Sequence, residues 1–287
     1  MTAVAVPGGL GRHALAALRR NRAAVVSACL LGLIVVLVIA GPWLSPHDYY
    51  ETDFDRILAP PSLAGGHLFG TDDLGRDLFV RTLAGGRISL AVGVVATAVS
   101  LLIGVAWGAV AGYLGGRIDH LMMRVVDILY AMPFMFFVIL LMVVFGRNIL
   151  LIFVAIGAVN WLDMARIVRG QTLSLKNKAF IEAARVSGAT EWQIISRHII
   201  PNLLGVVVVY VSLTIPQVIL VESFLSFLGL GVQEPLTSWG ALVNEGAQEL
   251  ETAPWSLLFP ATFLAATLFA FNFLGDGLRD ALDPRDR

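Results

Sequence analysis

Long uncharged hydrophobic blocks alternate with short polar segments along this chain. Five blocks contain no Asp, Glu, Lys or Arg, and they cover residues 23–44, 88–114, 128–145, 203–221 and 255–275. A helix that crosses the hydrocarbon core of a bilayer needs about 20 such residues. The pattern therefore predicts several membrane-spanning helices.

A sixth block, 149–162, is short for a span but extends to 169 if the interface accommodates Asp163 and Arg166. These two residues are three apart, so they share a helix face and can form a pair. We predict an all-α integral membrane protein with a basic cytoplasmic tail over 1–22 and a transmembrane domain over 23–287. Its six spans are expected at 23–44, 88–114, 128–145, 149–169, 203–230 and 255–275.

Composition agrees with this prediction, because 57% of the residues are hydrophobic and only 14% are charged. Soluble domains usually carry about 25% charged residues. The first block is about twice as long as the roughly 7–15 apolar residues of a signal peptide, which favours an uncleaved span. The basic tail before it is either a surface amphipathic helix or disordered.

The distribution of basic residues predicts the orientation, since cytoplasmic loops carry an excess of Lys and Arg. If the N-terminus is inside, 15 of the 20 basic residues lie in inner segments. The outer segments hold only Arg56, Arg76, Arg81, Arg87 and Arg147. We therefore expect a multi-pass protein of the cell inner membrane with both termini in the cytoplasm.

Few residues suggest bound metal or nucleic acid. Cys29 is the only cysteine, so neither an intrachain disulfide nor a thiolate zinc site is possible, and it is expected to pack as a small hydrophobe. His47 and His67 are expected to lie far apart in an outer segment, so no metal site is predicted. The net charge of −1 gives no sign of a nucleic-acid partner.

Residues 170–202 form a polar segment on the predicted inner side. It is expected to hold a helix over 175–186 that ends before Gly188, and a second helix that begins with a Thr190–Gln193 capping box. Pro201 is expected to interrupt the chain before the next span. A plain connector would look similar, but the triplet Glu182-Ala183-Ala184 combines a charge with side chains that let another backbone approach.

This triplet, with Gly188 and Pro201 in register, resembles the EAA loop of ABC-importer permeases. Segments 67–90, 123–134, 223–240 and 271–285 are similar to the dipeptide/oligopeptide/nickel branch of that family, and within it to the smaller, C-type permease chain. The departures are small: His198 and Ile200 replace residues that are often Ile and Leu. Glu234-Pro235 stands where the family usually has a Pro-Pro pair.

The resemblance implies the fold of a type I ABC-importer permease whose 170–202 segment, here called the EAA loop, couples to an ATPase. The implied coupling residues are Glu182, Ala183, Ala184, Arg185, Gly188, Ala189 and Thr190. The implied partners are a second, B-type permease, two ATPase subunits, an extracytoplasmic binding protein and the lipid bilayer. The sequence lacks the G-x-x-x-x-G-K-[ST] phosphate-binding motif, so no catalytic residue or cofactor is expected here, and ATP and Mg²⁺ belong to the partners.

Polar residues inside spans are costly and usually face a protein interior or an aqueous path. The candidates for a translocation path are Asn160, Asp163, Gln217, Glu222 and Asn272. Ser212 and Thr214 are more simply explained by bonds to their own helix carbonyls. In segment 67–90, Asp72 is expected to cap the following helix and Arg76 to anchor at the membrane interface, with direct substrate contact as the alternative.

Peptide import is the predicted function, and import of nickel or another small solute is the alternative within the same family. An ion-coupled secondary transporter would show inverted repeats and paired ionisable residues near the membrane midplane. An intramembrane enzyme would need a nucleophile with its base, or a metal cluster, at membrane depth. The sequence shows neither pattern.

Overall fold

The computed structural model describes residues 16–63, 65–146 and 149–282. Within these residues the chain is helical and forms no β-strand beyond two isolated bridges, Ser62–His67 and Thr71–Asp77. The helices are α1 (Arg22–Leu44), α2 (Leu78–Leu114), α3 (Gly116–Ala131), α4 (Phe134–Phe145), α5 (Ile149–Leu175), α6 (Ala179–Val186), α7 (Glu191–Ile194), α8 (Ile200–Phe227), α9 (Trp239–Gln248) and α10 (Pro254–Leu282). This confirms the all-α prediction.

Four of the described helices are long and apolar enough to cross a membrane: α1, α2, the continuous run from α7 through α8, and α10. Helices α3 and α4 meet at 85° and together make a fifth candidate. Helix α5 covers the predicted fourth span but does not meet the same criterion over its described residues. The six spans with their predicted boundaries therefore stay a prediction.

Helix α2 begins well before the predicted start of the second span at 88. The Asp77 side chain accepts a hydrogen bond from the Val80 amide at 2.9 Å and so caps the helix. The basic residues in its first turns find partners within the chain. Arg81 pairs with Asp72, and Arg87 donates to backbone carbonyls at the end of α1.

Helices α2 and α5 pack closely along a line of small residues. A Cβ added at Gly104 would lie 2.5 Å from the Met164 side chain, and one added at Gly108 would lie 2.4 Å from the Ala165 carbonyl oxygen. Gly112 meets the backbone of Arg169 in the same way, at 2.8 Å. Glycines spaced by four let two helix backbones approach more closely than larger side chains permit.

The basic tail predicted over 1–22 lies mostly outside the described residues, of which 16–20 are helical. Its two proposed conformations therefore remain open. Cys29, which was expected to pack as a small hydrophobe, lies on an exposed face of α1.

Candidate functional site

The EAA loop turns sharply at Gly188, as its sequence predicts. Gly188 has φ +82°, and its amide donates to the Arg185 carbonyl at 2.9 Å. The Ala189 amide donates to the Ala184 carbonyl at 3.1 Å. Together the two bonds form a Schellman motif, which ends α6 and satisfies two of its terminal carbonyls.

The second helix of the EAA loop begins with the predicted capping box. The Gln193 amide donates to the Thr190 hydroxyl at 3.3 Å, and the Thr190 amide donates to the Gln193 side chain at 2.9 Å. Helix α7 is only one turn long, and a π-helical turn over Ile195–Ile199 joins it to α8.

Two boundaries in the EAA loop differ from prediction. Leu175 ends α5, and the first helix of the loop starts at Ala179 instead of at 175. Pro201 does not interrupt the chain, because it occupies the first turn of α8. The wider π-helical turn before it accommodates a residue without an amide hydrogen.

One face of the EAA loop is buried against the transmembrane helices. Ile181, Ile194 and Ile199 are fully or almost fully buried in one apolar cluster, which also contains Ala109 of α2 and Val168 of α5. The loop is therefore seated on the ends of α2 and α5. A displacement of the loop must move these helices or break this cluster.

Ala184 belongs to the buried face, since only 9% of its surface is exposed. It packs inside this chain, so only Ala183 of the two alanines is open to another backbone. Ala183 and Glu182 are both exposed. Arg185 is exposed as well, and its guanidinium lies 5.4 Å from the centre of the Tyr113 ring.

The exposed face carries apolar side chains that the sequence analysis missed. Val186 is 90% exposed and Trp192 is 68% exposed, and Phe180 is exposed on the same loop. Exposed apolar groups on a polar segment commonly mark a protein interface. The sequence signal that could have identified them is that they are apolar residues outside the buried face of α6 and α7.

Ionic contacts fix the helix ends next to the EAA loop. Arg169 of α5 donates to both carboxylate oxygens of Asp119 in α3, at 2.5 and 2.6 Å. Lys176 donates to the Gly112 carbonyl at the end of α2, at 3.0 Å. A bidentate arginine–carboxylate pair adds geometric specificity, so these bonds hold α2, α3 and α5 in register.

The sequence predicted a pair between Asp163 and Arg166, but Arg166 has a different partner in the structure. Its guanidinium instead bonds Asp127 of α3 at 2.9 Å and lies 4.2 Å from the centre of the Tyr130 ring. This contact across two helices replaces the expected contact along one helix. Asp163 is half-buried.

The other path candidates differ in exposure and stay a prediction. Gln217 and Asn272 are exposed, and Asn160 is half-buried. Asn160 and Asn272 donate to carbonyls of their own helices at 2.9 Å. Ser212 and Thr214 also bond their own helix carbonyls, as expected.

Glu222 is not open to a substrate in this chain. Its side chain is fully buried and accepts hydrogen bonds from Ser226 at 2.7 Å and Ser89 at 3.2 Å. Ser89 in turn accepts from the Trp239 amide at 3.1 Å. This network joins α2, α8 and α9, so Glu222 holds helices together and does not line a path here.

The two segments 45–77 and 231–253, here called the cap, are tied together by ion pairs that two buried arginines make. Asp72 accepts from the Arg76 Nε at 2.7 Å and also pairs with Arg81. Arg76 reaches Glu234 at 2.7 Å, and Arg81 reaches Glu245 at 3.0 Å. Burial raises the pKa of Glu245, while Arg81 acts in the opposite direction.

This network corrects two expectations for segment 67–90. The residue that caps the N-terminus of helix α2 is Asp77, not Asp72. Arg76 is a buried partner of Asp72 and Glu234, not an interface anchor. It also gives Glu234 a role at the position where the family usually has proline. Within the described residues, these ion pairs hold parts of the same chain together.

The expectation that His47 and His67 lie far apart is wrong. Their rings stack with centroids 4.5 Å apart, and His67 bonds Asp77. The sequence distance between the two histidines misled the prediction, because the chain folds back between α1 and α2.

The cap and the EAA loop lie at opposite ends of α2, whose 37 residues span about 55 Å at 1.5 Å per residue.

Residues 104–287 match the family model described as "Binding-protein-dependent transport system inner membrane component". The chain belongs to this family. Residues 9–61 match a second model, the N-terminal transmembrane domain of oligopeptide transport permease C.

Curated relatives agree with this membership over nearly the whole chain. An oligopeptide transport system permease protein of Haemophilus influenzae is 60% identical over 93% of this chain and 86% of its own length. A protein of the same name in Escherichia coli K12 is 61% identical over 93% of this chain and 88% of its own length. A dipeptide transport system permease protein of Bacillus subtilis is 47% identical over 94% of this chain and 84% of its own length.

A solved structure supports the predicted type I importer fold. A chain of the MetNI methionine ABC transporter, in an inward-facing crystal form, aligns with a TM-score of 0.57. It covers 72% of this chain and 96% of that chain at 20% identity, so the likeness concerns the fold alone. This family member therefore has the architecture of an ABC-importer permease, a membrane protein with several apolar helices.

Proposed function

We propose that this chain is the C-type permease subunit of an ATP-driven importer of oligopeptides in the cell inner membrane. It forms half of the translocation path, and a homologous B-type permease forms the other half. The support is the identity of about three residues in five to two relatives named as oligopeptide permeases.

Coupling to ATP hydrolysis takes place at the EAA loop. The observation that carries this proposal is the two-sided arrangement of the loop. Its inner face is packed on α2 and α5, and its outer face presents Val186 and Trp192 beside Glu182 and Ala183. An ATPase subunit that grips the outer face moves both helices as one body.

ATP and Mg²⁺ bind to the two partner ATPase subunits, and this chain performs no catalysis. Closure of the ATPase pair favours one of two packings of the permease helices, so nucleotide acts through its different affinity for the two states. The cap, at the far end of α2, faces the extracytoplasmic binding protein. Both termini then lie in the cytoplasm.

Reconstitution tests the function. The complete complex of two permeases, two ATPase subunits and the binding protein is expected to take up oligopeptides into proteoliposomes when ATP is supplied. This chain alone is expected to hydrolyse no ATP and to drive no uptake against a gradient. ATPase activity in a preparation free of other subunits would contradict the assignment.

The substrate is tested by competition in the same vesicles. An excess of unlabelled oligopeptide is expected to block uptake of labelled oligopeptide, whereas Ni²⁺ and glutathione are not. Competition by Ni²⁺ alone would favour the nickel importer instead.

A matched pair of variants tests the coupling surface. Trp192→Ser is expected to weaken co-purification of the ATPase subunits roughly tenfold or more, because tryptophan is enriched among the interface residues whose truncation costs about 2 kcal/mol or more. Phe54→Ser is the control, since Phe54 is similarly exposed, at 69%, but lies in the cap. Equal co-purification by both variants would show that the ATPase binds elsewhere.

A further inference from the structure

A pocket of about 280 Å³ lies in the cap between the end of α1 and the start of α2. His47, His67 and Asp77 line it together with Glu51, Asp53 and Arg56. One ligand atom from each of the first three residues lies within 4.8 Å of the other two. Imidazole and carboxylate groups are common ligands of divalent transition metals.

His67 is the central residue of the pocket. Only 5% of its surface is exposed, and its Nδ1–H donates to the Asp77 carboxylate at 2.8 Å. Its other ring nitrogen, Nε2, is buried without a hydrogen-bond partner. With the proton on Nδ1, Nε2 carries a lone pair, and a buried polar atom without a partner is costly.

The Asp77–His67 pair reproduces the usual surroundings of a metal-bound histidine. In such sites a carboxylate accepts the second ring N–H, which fixes the tautomer and turns the free nitrogen towards the ion. Asp77 is itself held in place, because its other oxygen caps α2 at the Val80 amide. The position of His67 is thus fixed by the start of a 37-residue helix.

His47 supplies the second imidazole. Its ring lies 4.5 Å from that of His67 at an interplanar angle of 21°. Ligand nitrogens around a tetrahedral ion are about 3.3 Å apart, given metal–nitrogen bonds of about 2.0 Å. The candidate ligand atoms lie within 4.8 Å of one another, and a rotation of the half-buried His47 ring brings its nitrogen to this shorter distance and aims its lone pair at the ion.

The acidic side chains in the pocket complete a suitable environment. Glu51 and Asp53 add negative charge and can provide oxygen ligands. Arg56 is the basic neighbour, and its guanidinium is already engaged with Asp53 at 3.5 Å and with the Gly65 carbonyl at 2.8 Å.

We propose that the cap binds one divalent transition-metal ion of the zinc class through His47 and His67, with Asp77 as the carboxylate that orients His67. The ion joins the segment after α1, the turn around His67 and the first residue before α2. It therefore acts as a structural clip for segment 45–77. This proposal does not depend on the transport function.

The test is zinc binding by the full chain, purified in detergent, freed of any affinity tag and stripped with a chelator. We expect about one Zn²⁺ per chain by elemental analysis after dialysis. His67→Ala and His47→Gln are expected to lose this ion. Asp77→Asn is expected to bind zinc roughly 10–100-fold more weakly, which is the usual effect of removing an orienting partner. Asparagine still caps the N-terminus of helix α2, so the helix start is preserved.

His120→Ala is the matched control, because His120 is exposed and lies near the opposite end of α2, in α3. It is expected to bind zinc as the wild type does. Zinc is also expected to raise the Tm of the wild type and not that of His47→Gln, while the two metal-free proteins melt together. Failure to bind zinc stoichiometrically, or equal binding by both histidine variants and the wild type, would overturn the proposal.

Discussion

At the scale of single residues, Gly188 of the EAA loop has a backbone conformation that favours glycine over other residues. Its φ of +82° is one that residues with a Cβ rarely adopt. No atom lies within 4 Å of the place where a Cβ would stand. A substitution there is therefore resisted by the backbone conformation alone, without a steric clash against neighbouring side chains.

Gly188→Val is expected to abolish transport and leave membrane insertion intact. A residue with a Cβ in the left-handed region costs roughly 1–2 kcal/mol, and a β-branched one more, so the turn opens and the outer face of the loop shifts. The measurement is substrate-stimulated ATP hydrolysis and uptake by the assembled complex. Gly188→Asn is the control, because asparagine tolerates this conformation and is expected to retain most activity. Normal coupling by the valine variant would show that the loop is only a connector.

Residue-level predictions succeeded where the reason was local. The turn at Gly188 and the Thr190–Gln193 capping box depend on neighbours within five residues. Glu222 and His67 could not be placed from the sequence, because their partners come from distant parts of the chain. Ser89 is 133 positions from Glu222, and no periodicity in the sequence indicates that contact.

At the scale of elements, the contact between α2 and α5 supports the EAA loop. Gly104, Gly108 and Gly112 bring the two helices together, and the buried face of the loop packs on their ends. Any change that separates these helices must also disturb the seat of the loop. Stability and coupling are therefore linked through the same pair of helices.

Gly108→Ala is expected to destabilise the chain by about 1–3 kcal/mol, the usual range for overpacking a tight interface. The added methyl group would stand 2.4 Å from the Ala165 carbonyl oxygen, which belongs to backbone and cannot rotate away. Gly170→Ala is the control, since Gly170 lies inside α5, the other helix of the pair, and a Cβ there meets nothing within 4 Å. Thermal unfolding in detergent compares the two variants, and equal Tm values would refute the close approach.

The elements themselves were largely predictable, because a bilayer demands long uncharged helices. Their ends were less so. The start of α2 was missed since Arg81 and Arg87 were taken as limits, whereas Arg81 pairs with Asp72 and Arg87 bonds backbone carbonyls within the chain. The bend between α3 and α4 was missed too, although Pro133 stands at the joint, because the uncharged run 128–145 continues across it.

At the scale of the whole molecule, α2 connects the cap to the EAA loop across about 55 Å of helix. That length exceeds the roughly 30 Å of a bilayer core, so α2 is long enough to place the two regions on opposite sides of the membrane. The distribution of basic residues along the chain predicts which side of the membrane each region occupies. The side of the EAA loop is the one predicted to be cytoplasmic.

Cysteine labelling decides the orientation of the whole chain. In a Cys29→Ser background, a cysteine placed at Gln248, in the exposed part of the cap, is expected to react with an impermeant maleimide added to intact cells. A cysteine placed at Glu191, exposed at the start of α7, is expected to react only after the membrane is permeabilised. The two positions are matched because both are exposed at helix ends, so a difference in labelling reports the side of the membrane. Labelling of Glu191→Cys in intact cells, with Gln248→Cys protected, would invert the orientation and remove the EAA loop from the reach of a cytoplasmic ATPase.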